Sequence, residues 1–135
     1  PLLHKQLEQS QRLALIKKND VLTFGDLELH FFHSAGHTPG LLCADLRYPE
    51  GRLVFPTDLI PGRFWVHLPI SMGYDRYPEL LIEEKKALLT GAAKDNAWVV
   101  YVHDPDYAAS KVRYDEENNT FVAIVPQKEL AIGSH

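Results

Sequence analysis

Three side chains share one position type in this sequence: each stands at or just past the end of an apolar run. His37 follows "ELHFFHSAG", Asp58 follows "RLVFPT" and His103 follows "AWVVYV". Imidazole nitrogen and carboxylate oxygen are ligands that suit zinc and similar ions. Strand ends are where a rigid sheet aims loop residues at one crevice. Taken singly, each residue also has a plain structural reading. A lone strand-end histidine is more often hydrogen-bonded than metal-bound, Asp58 before Leu-Ile-Pro can cap a turn, and His103-Asp104-Pro105 can terminate a strand.

The elements that would carry these residues follow from periodicity. Leu3, Leu7, Leu13 and Ile16 fall near helical spacing and predict a helical lead-in over residues 1–18. "VLTFGDLELHFFHS" reads as two strands joined at the tight-turn pair Gly25-Asp26. Leu27, Leu29, Phe31 and His33 then share one face, with Glu28, His30, Phe32 and Ser34 on the other. "LLCADLRYP" and "GRLVFPTD" make a second pair around Pro49-Glu50-Gly51. Residues 59–77 hold aromatics, prolines and glycines without a clean period, which predicts a long loop with one helical turn. Its Phe64, Trp65, His67, Met72 and Tyr74 either line a pocket or pack the loop itself. Pro78 suits a helix start, and Leu80, Leu81, Leu88 and Leu89 supply an apolar stripe, so Glu83, Glu84, Lys85 and Lys86 read as the solvated face. "AWVVYV" reads as a buried strand, and "KVRYDE" and "TFVAIV" as strands flanking Glu117-Asn118-Asn119. The whole is one α/β domain over 1–135.

Composition bounds the function. A net charge of -4 with pI near 6.0 argues against a general nucleic-acid surface, which needs a basic face. No apolar run approaches the ~20 residues that span a bilayer, and the amphipathic start does not resemble a signal peptide. The single cysteine, Cys43, has no internal partner for a disulfide and points to a reducing, cytoplasmic setting. Lying in an apolar strand, it reads as a small buried residue rather than a ligand or nucleophile. His33 and His4 read as packing and surface residues. The chain opens on Pro1 rather than methionine, so a trimmed chain or a piece of something longer is expected, and Gly133-Ser134-His135 reads as an appended tail.

Together the three strand-end segments are more specific than each alone. "FHSAGHTPG" resembles the Thr-Pro-Gly-His-Thr-x-Gly segment of the metallo-β-lactamase fold superfamily of metal-dependent hydrolases. "LVFPTD" is similar to that superfamily's apolar strand ending in Gly-Asp, and "VVYVHDP" to its strand ending in the last metal-binding histidine. Order and spacing fit, with 21 residues from His37 to Asp58 and 45 from Asp58 to His103. The resemblance runs from about Val21 to Val125.

The resemblance implies a role at each position. His37 would complete the histidine set of a first metal, Asp58 would bridge two metals and serve catalysis, and His103 would bind the second. Gly36 and Gly40 would let the backbone turn sharply at positive φ. Two zinc ions ~3.5–4 Å apart would activate a water against an ester, lactone, thioester or amide in a small-molecule substrate. Two departures stand out. Thr57 replaces the glycine before the aspartate, and the superfamily's His-x-His-x-Asp-His motif occurs nowhere in the 135 residues. The implied fold is therefore the C-terminal half of an αβ/βα sandwich, a mixed sheet with flanking helices, inactive alone. Its bare sheet face would be covered by the missing N-terminal half or by a second copy. The alternative is a non-catalytic dimerisation or binding module of the same fold.

Overall fold

The structure, a computed structural model, describes residues 2–17 and 19–130. The reading of Gly133-Ser134-His135 as a tail lies outside the described residues. Helix α1 (Leu2–Gln9) is followed by strands β1 (Val21–Phe24), β2 (Leu27–Ser34), β3 (Leu41–Tyr48) and β4 (Gly51–Phe55). Two 3-10 turns, Thr57–Leu59 and Arg63–Val66, lead into α2 (Pro78–Lys94), then β5 (Trp98–Val100), β6 (Ala109–Asp115) and β7 (Thr120–Gln127).

The seven strands form one sheet in sequence order. Every neighbouring pair is antiparallel except β4 and β5, which run parallel through Leu53↔Trp98 and Val54↔Val99. Parallel neighbours need a long crossover, and the segment from Pro56 to Ala97, with α2, supplies it. Two consecutive antiparallel steps also leave β2 pointing the same way as β4. The C-terminal ends of β2, β4 and β5 therefore share one edge of the sheet.

The core lies between one sheet face and α2. Val54, Val99, Val112 and Phe121 from the sheet meet Leu81, Leu89 and Ala92 of α2, with Leu59, Ile60, Val66 and Leu68 of the crossover filling between. Strand alternation puts Leu29, Phe31, Leu46, Leu53, Phe55 and Trp98 on the opposite face, and none of them belongs to the core. The register stacks this second face as a continuous apolar row, Leu29 against Leu46 and Leu46 against Leu53.

Three expectations need correction. The helical lead-in stops at Gln9 instead of continuing to residue 18. Gln11 turns left-handed at φ 55°, and the N–H groups of Gln11 and Arg12 close back on the carbonyls of Glu8 and Leu7. That is a Schellman-type helix end; α1 buries none of its residues, so no packing extends it past that point. Second, Glu84 and Lys85 are not on a solvated face: Lys85 is fully buried and Glu84 partly so. Third, Gly40 does sit at φ +85°, but Gly36 has no positive φ. Its lack of a side chain matters for close approach, since a Cβ there would fall 2.4 Å from Leu81 Cα.

Candidate metal centre

His37, Asp58 and His103 converge at the shared strand edge. His37 lies three residues beyond β2, in a turn whose Gly36 and His37 carbonyls accept from the N–H groups of Tyr77 and Arg76 at 2.8 and 3.0 Å. Asp58 sits inside the 3-10 turn after β4, anchored by the buried Leu59 and Ile60 that follow it. His103 follows β5, and its N–H donates to Pro61 O at 2.9 Å, tying its segment to the chain just after Asp58. Asp58 Oδ2 lies 3.8 Å from His37 Nε2, and Asp58 Oδ1 lies 3.1 Å from His103 Nε2. Each carboxylate oxygen thus faces one imidazole.

A residue that periodicity and motifs missed completes this arrangement. Asp75, buried in the loop before α2, places Oδ1 2.8 Å from His37 Nδ1, and its Oδ2 accepts from the Met72 N–H at 2.5 Å. An ionised carboxylate only accepts hydrogen bonds, so His37 carries its proton on Nδ1. In the neutral ring this leaves the Nε2 lone pair directed toward the anionic Asp58, with no proton to bridge the 3.8 Å gap. His37 Nε2 and Asp58 Oδ2 would be the groups to hold a zinc-type cation there. A carboxylate orienting the far nitrogen of a histidine is also the usual outer shell of a metal ligand. The donor chemistry therefore fits a cation. The count does not close a site, however: among the described residues no three His, Cys, Asp or Glu side chains form a ready-made metal cage. Among the described residues, the Nε2 of each histidine faces only Asp58, two ligands where zinc takes four.

The loop carrying His103 is held by charge. Asp104 accepts from Arg63 N–H and guanidinium at 2.8 and 2.9 Å and from the N–H groups of Asp106 and Tyr107. Burial pushes the Asp104 carboxyl up, but these backbone donors and the Arg63 charge together hold it below the usual carboxylate range. The Arg63 guanidinium is stacked 4.6 Å from both the Phe64 and Tyr107 rings and also binds Asp106. It links the segment after Asp58 to the segment after His103.

The other sequence candidates fall outside the convergence point. His33 is exposed on the apolar sheet face, and His4 pairs loosely with Glu8 on α1. His67 is half-buried, and its carbonyl, with those of Leu68 and Ile70, accepts from Lys85 Nζ at 3.0, 3.3 and 2.7 Å. Cys43 is buried with its thiol 3.2 Å from Pro56 O; burial pushes it up to about 11, so it stays a neutral thiol. Of the loop aromatics, Tyr74 is exposed with its ring edge-on to His37 at 6.0 Å, whereas Trp65 packs on the core.

No family profile and no curated protein matches the chain. Solved structures do. A probable metal-dependent hydrolase from Staphylococcus aureus superposes with a TM-score of 0.63 at 22% identity, over 86% of this chain and 41% of its own. AbOPH, a hydrolase in the β-lactamase superfamily, gives 0.69 at 20% identity, over 89% and 40%. AidC, a dizinc quorum-quenching lactonase, gives 0.68 at 18% identity, over 95% and 46%. The chain has the metallo-β-lactamase fold, as a mixed seven-stranded sheet that matches part of these hydrolases. It spans less than half the length of each neighbour. No helix among the described residues is long and apolar enough to cross a membrane.

Proposed function

We propose that this chain supplies one half of a binuclear metal centre in a hydrolase that attacks an ester, lactone, thioester or amide of a small molecule. The observation that carries this is the split carboxylate: the two oxygens of Asp58 face two separate imidazoles. Zinc ions held there by His37, Asp58 and His103 would supply activated water near neutral pH and polarise a scissile carbonyl. The chain's own residues would do the rest. Asp75 fixes the His37 tautomer, the Arg63–Asp104 pair holds His103 beside Asp58, and exposed Tyr74, edge-on to His37, offers an apolar wall to a neutral acyl group. Arg63, occupied by two aspartates, is not free to clamp a phosphate, which favours a carbonyl substrate.

With two ligands per ion, the chain alone is inactive and binds metal weakly; a complementary half supplies the remainder. Its docking face is the apolar sheet face of Leu29, Phe31, Leu46 and Leu53. A lone buried cysteine fits a reducing compartment. Zinc titration by calorimetry tests the reading. Weak binding by this chain, strengthened when a polypeptide bearing His-x-His-x-Asp-His is added, is the expected result. Tight, stoichiometric binding of two ions by the chain alone would overturn the half-site.

The uncovered face also favours a second reading, a dimerisation module in which two copies stack these faces. Zinc-independent self-association, with His37, Asp58 and His103 all dispensable, would establish it over the first.

A further inference from the structure

Glu84 lies on α2, and its carboxylate collects three donors from three consecutive residues at the end of β2. Ser34 Oγ and Gly36 N–H donate to Oε2 at 2.6 and 3.0 Å, and Ala35 N–H donates to Oε1 at 2.9 Å. Hydrogen bonds to an ionised acceptor are roughly twice as strong as neutral ones. Three on one group fix both the place and the tilt of the peptide planes they come from. The same turn is pressed onto the helix from below: the space that a Gly36 Cβ would need is filled by the Leu81 backbone. From the other side Tyr77 and Arg76 bond the Gly36 and His37 carbonyls. His37 is the first residue beyond this clamp.

We infer that Glu84 is the positioning residue that sets how far His37 reaches toward Asp58, while Asp75 sets the rotation of its ring. The inference rests on the metal-site reading of His37 and deepens it: the helix, rather than the strand, dictates where the ligand stands. A carboxylate that merely stapled α2 to the sheet would bond anywhere along β2. This one bonds only the residues that lead directly into His37.

Long-range 1H–15N spectra of the histidine rings test it, recorded in alkaline buffer without metal on the intact chain and on E84A, E84Q and S34A. In the unaltered chain His37 shows one protonated and one bare ring nitrogen, held apart by Asp75. In E84A the ring leaves Asp75, and its two nitrogen signals move toward a common averaged position while those of His103 stay in place. E84Q keeps one accepting oxygen and gives a smaller shift in the same direction. S34A removes a single donor and gives the smallest; it decides the question should both Glu84 variants fail to fold. Unchanged His37 signals in a folded Glu84 variant, or in S34A where it alone folds, overturn the proposal, because loss of a staple would lower the melting temperature and leave the ring as it was. No metal enters the measurement, so failure of the hydrolase reading leaves its outcome unaltered.

Discussion

Asp75 Oδ1 lies 2.8 Å from His37 Nδ1, and this contact decides which nitrogen of His37 faces Asp58. The buried carboxylate commits the proton to Nδ1 and leaves the Nε2 lone pair facing Asp58. Removing it in Asp75→Ala frees both the tautomer and the ring. Under the proposed metal-site reading, zinc affinity at His37 is expected to fall about 10–100-fold, the usual effect of losing such an outer-shell partner. Calorimetric titration checks this. The Met72 N–H loses its acceptor too, so urea unfolding should show a loss of about 1–2 kcal/mol.

Lys85 spends all three of its ammonium protons on the carbonyls of His67, Leu68 and Ile70. Lys85→Met fills the same volume and leaves three acceptors without that donor. The expected cost is about 2–4 kcal/mol in urea unfolding.

The same lysine gives a pH signature. Burial lowers it from 10.5 to about 8. Between those values the unfolded chain keeps the proton and the folded chain sheds it, so this group's contribution to stability rises with pH across that window and is least favourable below about pH 8. Urea midpoints of the natural chain and Lys85→Met, followed from pH 7.5 to 10, should move apart as pH rises, the natural chain gaining on the variant. Parallel curves would show that the ionisation is not coupled to folding.

Thr57 occupies the left-handed region at φ 51°, where a β-branched residue is strained. Its hydroxyl eases this by donating to Pro56 O at 2.8 Å. Glycine relieves about 1–2 kcal/mol of strain and returns about 0.5–1 kcal/mol as chain entropy. Glycine also forgoes the hydroxyl bond, worth about 1 kcal/mol, so Thr57→Gly is expected to stay within about 1 kcal/mol of the natural chain, and Thr57→Val, which keeps the branch without the hydroxyl, to lose about 1 kcal/mol and be the less stable of the two. Thermal unfolding of the two variants side by side checks the order.

Leu46 and Leu53 stand directly opposite each other on the uncovered sheet face. Replacing them with Glu and Lys makes a cross-strand pair of opposite charges and breaks the apolar row. Under the proposed dimerisation reading, sedimentation velocity should show at least about a tenfold weaker self-association, or about 1.4 kcal/mol, with little change in melting temperature. Association unaltered by the double substitution would place the contact elsewhere.

Much of this was legible in the sequence, for reasons that differ by element. The hairpins declared themselves through alternation and through Gly25-Asp26, and α2 through Pro78 and its leucines. His37, Asp58 and His103 were legible because each sits at a strand end, and strand ends are fixed by the pattern before them. Asp75 was not, since it lies in a loop with no period and acts through one tertiary contact. Lys85 was hidden by its neighbours: in "EEKK" a charge reads as solvated. Yet Leu81, Lys85 and Leu89 are spaced four apart and share one face of the helix, a signal that marks Lys85 as inward-facing. The sequence resemblance expects glycine at Thr57, and its φ of 51° is a conformation that favours glycine.

The parallel register of β4 and β5 has a kinetic consequence. All other neighbours in the sheet are joined by short connections, whereas Phe55 and Trp98 are separated by the whole crossover. Closing that loop demands the largest loss of chain entropy in the molecule and rewards it only when α2 has docked. Asp58 lies on one side of that closure and His103 on the other. The approach of Asp58 to His103 is thus completed only by this long-range closure, which is expected among the slower steps of folding.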